Sequence, residues 1–320
     1  NTNFSTVVSV QLSTSDLNSL KLKHPLATSL ETTFLAVDGG AVDDMATPTP
    51  NPCAAVQGSD LLQATAFSAD QAPPALESFT LDLDLAQMTF LFNEPINAST
   101  LDATALTLQS AENVTGGSSG NAEAFAVTGG EFIGDTNGLQ AVLNLSLSDV
   151  HSIKLLERLC VSATSTYLAV TPGFVLDMAG NAVAQIPSTA GLLVAEFRAD
   201  MARPRLTGFD LDMSSNLLVL SFNEPMDATS LRIDKLTLMT STEAPSAPTN
   251  LAHTLSTSSS RLFNASRGDG LVLEVAIGKE DADQLRRIEV ANVRDRAWLS
   301  IAAGAALDQA GLEVLPRVGG

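Results

Sequence analysis

Met88, Phe90 and Phe92 alternate with Thr89 and Leu91, and Leu218, Leu220 and Phe222 alternate with Val219 and Ser221. An apolar residue at every second position turns one face of an extended chain toward a core. Asn-Glu-Pro ends both runs and predicts a turn, because proline cannot donate to a strand ladder. Leu106 and Leu108, residues 143–147 and residues 167–170 predict further strands. The stretch Ser148-Asp149-Val150-His151-Ser152-Ile153-Lys154-Leu155 differs. Val150, Ile153 and Leu156 recur at helical spacing behind Ser148 or Asp149, either of which can cap a short helix. Asp177-Met178-Ala179-Gly180-Asn181 predicts a turn between strands, with Gly180-Asn181 supplying positive φ.

These patterns recur. Residues 74–110 align without a gap to residues 204–240, with 14 identities in 37 positions at an offset of 130. The identities include Phe79/Phe209, Asp82/Asp212 and the run Phe92-Asn93-Glu94-Pro95 against Phe222-Asn223-Glu224-Pro225. Residues 12–46 match residues 145–179 at an offset of 133, sharing Ser15-Asp16, Lys21-Leu22, Leu35-Ala36-Val37 and Asp44-Met45-Ala46. A weaker third copy spans about 280–311. The chain therefore reads as half a repeat followed by two whole ones, a window on a longer tandem array.

Composition narrows the class. Apolar residues make up 45% of the chain, enough for packed cores, yet charged residues are only 17%, below the usual quarter. Hydroxyls take their place at 31 Ser and 29 Thr, a habit of secreted proteins. The net charge of −19 argues against nucleic acid, whose phosphates require clustered Lys and Arg. No apolar stretch is long enough to span a bilayer.

The pattern P-x-L-x-x-F-x-L-D…F-N-E-P-[IM]-[ND]-A-[ST]-[ST]-L, closing on D-x-A-G-N, resembles the bacterial-type Ig-like repeats of surface-layer and adhesin proteins. It is similar above all to tandem Ig-like repeats in extracellular or flagellar-hair (mastigoneme-like) glycoproteins of algae and protists. The first copy departs from the pattern, running from Ala46 into Thr47-Pro48-Thr49-Pro50-Asn51-Pro52-Cys53 where Gly-Asn is expected. Seven or so short strands in about 130 residues also fit an immunoglobulin-type sandwich. The expected fold is all-β: tandem immunoglobulin-like β-sandwiches, each with one short helix. Residues 1–72 form the C-terminal half of a repeat, 73–203 a whole repeat and 204–320 another. Short proline-stiffened linkers at Gln71-Ala72-Pro73-Pro74 and Ala202-Arg203-Pro204 predict a rod.

The expected function is structural: a segment of an extracellular glycoprotein fibre or of a coat on the cell or flagellar surface. Its partners are neighbouring repeats, other copies or other fibre proteins. An adhesin or glycan-binding ectodomain is the alternative, disfavoured by one Trp and one Tyr, since sugar sites favour aromatic platforms. No catalytic constellation is visible. His24, His151 and His253 lie far apart and lack metal-ligand spacing, and repetition of Glu94 and Glu224 speaks for a turn rather than acid–base work.

Five sequons place candidate N-glycans on Asn97, Asn113 and Asn264, and less favourably on Asn144 and Asn3. Thr47, Pro48, Thr49, Pro50 and Pro52 form a polyproline-like run, a candidate for O-glycans on Thr or on hydroxylated Pro. Cofactors are not expected, apart from calcium at the module joints, with Asp70, Asp82, Asp200 and Asp212 as candidate ligands. Cys53 and Cys160 are not expected to bond to each other, since a straight rod separates them far beyond the reach of a disulfide.

Overall fold

The structure, a computed structural model, describes residues 6–114, 122–134, 136–242, 251–264, 270–290, 292 and 296–317. Strands dominate it, in several mostly antiparallel sheets, with three short α-helices among the described residues.

Residues 74–198 build two sheets. One has the order Glu196–Arg198, Leu76–Asp82, Gln87–Ile96, Gly138–Leu145, Gly130–Ile133, and the other Leu192–Leu193, Tyr167–Val170, Leu106–Gln109, Ala124–Ala126. All neighbours are antiparallel except Glu196–Arg198, which runs parallel to Leu76–Asp82. The alternation explains the packing: Met88, Phe90 and Phe92 are buried while Leu91 is exposed. Apolar residues of both sheets meet in one core, among them Phe79, Leu108, Leu143 and Leu168. Phe174 sits edge-on to Phe90, with ring centroids 5.0 Å apart.

Residues 204–317 repeat the plan around a separate core. The sheet Leu206–Asp212, Leu217–Phe222, Val272–Ala276, Arg261–Asn264 corresponds to the first of the earlier pair. Ala252–Thr254, Leu236–Met239, Trp298–Ile301 corresponds to the second. In the first segment only Phe34–Leu35 and Leu62–Gln63 pair as strands among the described residues.

Helices α1 (Thr14–Lys21), α2 (Leu147–Lys154) and α3 (Lys279–Arg287) occupy equivalent places. The start of α2 lies earlier than the sequence pattern indicates. Its cap is Ser146, whose Oγ accepts from Asp149 N at 3.1 Å. Asp149 is unavailable as a cap because its carboxylate accepts from Thr128 N and Oγ1. The preceding strand is correspondingly Gly138–Leu145, since Leu147 already belongs to the helix. At the Asp177 turn only Gly180 takes positive φ, +92°. Asn181 instead closes the turn with its side chain.

Candidate functional site

The repeated motifs converge where one unit meets the next. Phe92-Asn93-Glu94-Pro95 divides its labour. Phe92 enters the core, and Asn93 Oδ1 accepts from Ala75 N at 2.8 Å, clamping the linker to the strand Gln87–Ile96. In this copy Asn-Glu-Pro does not end the strand as expected: the strand runs on to Ile96 with a register shift after Leu91, whereas in the second copy it stops at Phe222. Glu94 is left at the joint. The second copy repeats this: Phe222 is buried, Asn223 Oδ1 accepts from Arg205 N at 2.6 Å, and Glu224 faces the joint.

Into each joint the preceding helix sends its terminal lysine. Lys154, the last residue of α2, places Nζ 2.6 Å from Asp200 Oδ2 and 2.8 Å from Glu224 Oε2. Lys21, the last residue of α1, places Nζ 2.7 Å from Asp70 Oδ2 and also against Glu94 Oε2. A lysine at a helix C-terminus suits the local dipole, which favours cations there. Asp70 and Asp200 are held alike, their Oδ1 atoms accepting from Ala72 N at 3.0 Å and Ala202 N at 3.1 Å. In α3 the comparable residue, Arg286, folds back onto its own unit, donating to Met213 O and Asn216 Oδ1.

A third carboxylate completes each joint. Asp177 joins Asp70 and Glu94, and Asp308 joins Asp200 and Glu224; within each triad one oxygen from each residue lies within 4.8 Å of the others. These aspartates come from the D-x-A-G turns. Asp177 accepts from Ala179 N and Asn181 N on Oδ1 and from Asn181 Nδ2 on Oδ2. Asp308 accepts from Leu312 N on Oδ1. Each joint thus combines three carboxylates with one ammonium.

Burial makes the balance consequential, because in a low-dielectric site unpaired charge is costly. Burial by itself would depress the Lys154 pKa, but hydrogen bonds and attraction from Asp200 and Glu224 outweigh it and hold the ammonium above its ordinary value. Lys21 behaves in the same way with Asp70 and Glu94. Burial raises Glu224 despite its lysine, and burial raises Asp308 despite the Leu312 N–H. Asp70, in the wetter joint, goes the other way. Burial would raise it, but Lys21 and the Ala72 N–H together hold it below the usual carboxylate range.

Of the four aspartates expected to gather at the joints, Asp70 and Asp200 do so. Asp82 and Asp212 do not. Asp82 Oδ1 accepts from Leu85 N within its own hairpin, and its other oxygen lies 3.7 Å from Arg198. Asp212 accepts from Ser214 N and Ser215 N, shaping the next hairpin. The cluster's remaining members are Glu94, Glu224, Asp177 and Asp308 with the two lysines. Lys21/Lys154 and Asp44/Asp177 already stood in the repeat alignment, and that shared recurrence is the signal that marks them.

The sequon asparagines lie in different settings. Asn97 is half-buried, and its Oδ1 accepts from Ser99 N and Oγ, capping a short turn. Asp227 performs the same task with Thr229 in the next unit. Asn113 is exposed, and Asn144 lies near the end of the strand Gly138–Leu145 with Oδ1 accepting from Gln87 Nε2. Asn264 ends the strand Arg261–Asn264. Asn3 lies outside the described residues. Thr47, Pro48, Thr49, Pro50 and Pro52 are all exposed. The loop they form leaves the turn clasp intact: Asn51 donates to Asp44 from N and Nδ2 at 2.8 and 2.9 Å, as Asn181 does to Asp177.

Cys160 is buried and Cys53 half-buried, and both are thiols. Cys160 takes the place of Ala27 after the helix; both have left-handed backbones, at φ +55° and +54°.

Among the described residues no helix is long and apolar enough to cross a membrane. No protein-family profile matches the chain, and no curated protein sequence matches it significantly.

Proposed function

We propose that this chain is a structural segment of a tandem array of Ig-like β-sandwich repeats, serving in an extracellular glycoprotein fibre or surface coat. The carrying observation is the joint. Equivalent lysines, Lys21 and Lys154, bridge equivalent carboxylates at two successive boundaries. A recurrent, largely buried ion cluster at each boundary restricts rotation between units, which a fibre requires and independent beads do not. A clamped linker supports the same reading, because Asn93 and Asn223 tie the chain entering each unit to its second strand. The hydroxyl-rich, acidic composition and the sequons on Asn97, Asn113, Asn144 and Asn264 support an extracellular setting.

Small-angle scattering and single-particle imaging of the 320-residue chain test the reading. One fixed inter-unit angle is expected, and Lys21→Ala with Lys154→Ala should broaden its distribution. A broad distribution in the unaltered chain overturns the rod. Native material without glycans at any of these asparagines overturns the extracellular assignment.

A further inference from the structure

The first segment carries the back half of a repeat with its interior turned outward. Four pairs of matched positions establish this. Val10 is 79% exposed and Leu143 0%; Leu12 50% and Leu145 7%; Leu35 59% and Leu168 0%; Val42 51% and Val175 1%. The members of each pair stand 133 residues apart. Exposed apolar residues occur singly on ordinary surfaces, whereas a contiguous face of them marks an interaction site. Of these positions Leu12 also lines a cleft of about 580 Å³ that Leu17, Leu20 and Leu26 form with Phe67 and with Met178 of the next unit.

What covers these positions in residues 74–198 is the front half of the same repeat. Leu143 pairs in register with Met88 of Gln87–Ile96, and Leu168 with Leu108 of Leu106–Gln109. In the first segment Leu35 keeps its back-half partner, Leu62, as Leu168 keeps Leu192. The edge that Leu106–Gln109 would take is the one turned to solvent.

A polar anchor points to the same occupant. Asp149 in α2 is buried and accepts from Thr128 and Gly129 of the front half. Asp281 in α3 is buried and accepts from Ser256 and Ser260, also of its front half. The corresponding residue of α1, Asp16, is exposed, with its Oδ2 accepting from the neighbouring Ser13 Oγ at 2.8 Å. The surface therefore offers strand edges, an apolar face and a carboxylate acceptor in the arrangement that a front half fills twice elsewhere in the chain.

We propose that residues 6–67 form a docking surface for the front half of a repeat of the same type. This is a strand segment of the pattern P-x-L-x-x-F…F-N-E-P…L-T-L, which adds strands beside residues 6–12 and 34–37 and supplies backbone or hydroxyl donors to Asp16. Recognition is by β-strand addition: main-chain hydrogen bonds give affinity and alternating apolar side chains give register. The proposal rests on the repeat reading but not on the lysine joints, and a flexible rod leaves it standing.

A fusion tests it. A second copy of residues 74–137 is placed directly ahead of Ser5, which reproduces the natural connection of Asn137 to Gly138. Hydrogen exchange is then read at residues 8–12 and 34–37. Protection should rise roughly 100-fold or more over the unaltered chain, as for a strand moved from an open edge into a core. Phe90→Asp in the added copy alone should abolish the gain, while exchange in residues 138–198 stays unchanged. Unchanged exchange in the fusion, with residues 138–198 still protected, overturns the proposal. So does a concentration-dependent dimer of the unaltered chain in which residues 8–12 and 34–37 are already protected, because the occupant is then a second copy.

Discussion

Asn181 donates from Nδ2 to Asp177 Oδ2 at 2.8 Å, and this contact has no counterpart in the last unit. Leu312 stands where Asn181 does, four residues beyond the aspartate. Asp308 Oδ2 is buried there without a hydrogen-bond partner. Two joints of the same plan therefore differ in one donor, and the difference falls on the carboxylate that burial pushes toward its protonated form.

Restoring the donor should restore the balance. Leu312→Asn is expected to stabilise the last unit by about 1 kcal/mol, the usual net worth of a hydrogen bond. Denaturant unfolding followed through Trp298, which lies in that unit, measures it. A loss of stability would mean that the site cannot accept the amide.

The same orphan predicts a pH dependence. Glu224 and Asp308 have raised values in the folded state, so protonation favours folding. Their contribution is fully present below the ordinary carboxyl range near about pH 4 and is lost as pH rises through the raised values. Asp308→Asn mimics the protonated form. It should stabilise the last unit at pH 7 by about 1 kcal/mol and should converge with the unaltered protein near pH 4. Asp70, whose value is lowered, works in the opposite sense. Its contribution is present above the ordinary range and fades as pH falls through its lower value. A stability gap for Asp308→Asn that does not change with pH would contradict this assignment.

Removing the lysine should cost more than removing a carboxylate. Lys154→Ala leaves Asp200, Glu224 and Asp308 facing one another with no cation among them. A loss of about 3 kcal/mol is expected, in the range for breaking a buried pair. Adding Asp200→Asn, Glu224→Gln and Asp308→Asn to Lys154→Met should recover most of it, since a neutral cluster carries no unpaired charge. Additive losses across this series would show that Lys154 acts through packing instead.

The cysteines should differ in reactivity. Burial pushes the Cys160 thiol up to about 12, against a smaller opposing effect of Thr166. The reactive thiolate is then scarce at pH 8. Iodoacetamide should label the half-buried Cys53 in the native state and reach Cys160 after unfolding. A peptide containing Cys53 bonded to Cys160, recovered from native material, would overturn the assignment of both as thiols.

Much of this molecule is written in its periodicities. Alternation at Met88, Phe90 and Phe92 fixes a strand and its buried face, because side chains on an extended backbone can point only two ways. Recurrence at offsets of 130 and 133 marks equivalent elements before any contact is known. Short-range signals were less exact: α2 begins after Ser146 because the carboxylate of Asp149 is recruited by Thr128, a residue distant in sequence. The joints lay further from view. Lys154, Asp200, Glu224 and Asp308 are spread over 154 residues, and each has a local reading as helix end, linker, turn or hairpin. Only the packing of one unit against the next brings Lys154 into contact with Asp200 and Glu224, gathers the three carboxylates within 4.8 Å of one another and buries them. The sequence by itself decided which elements form and how often they recur, since those follow from local sterics and hydrophobic burial. Tertiary structure alone decided which charges share a low-dielectric site, because that depends on where separate elements end in space.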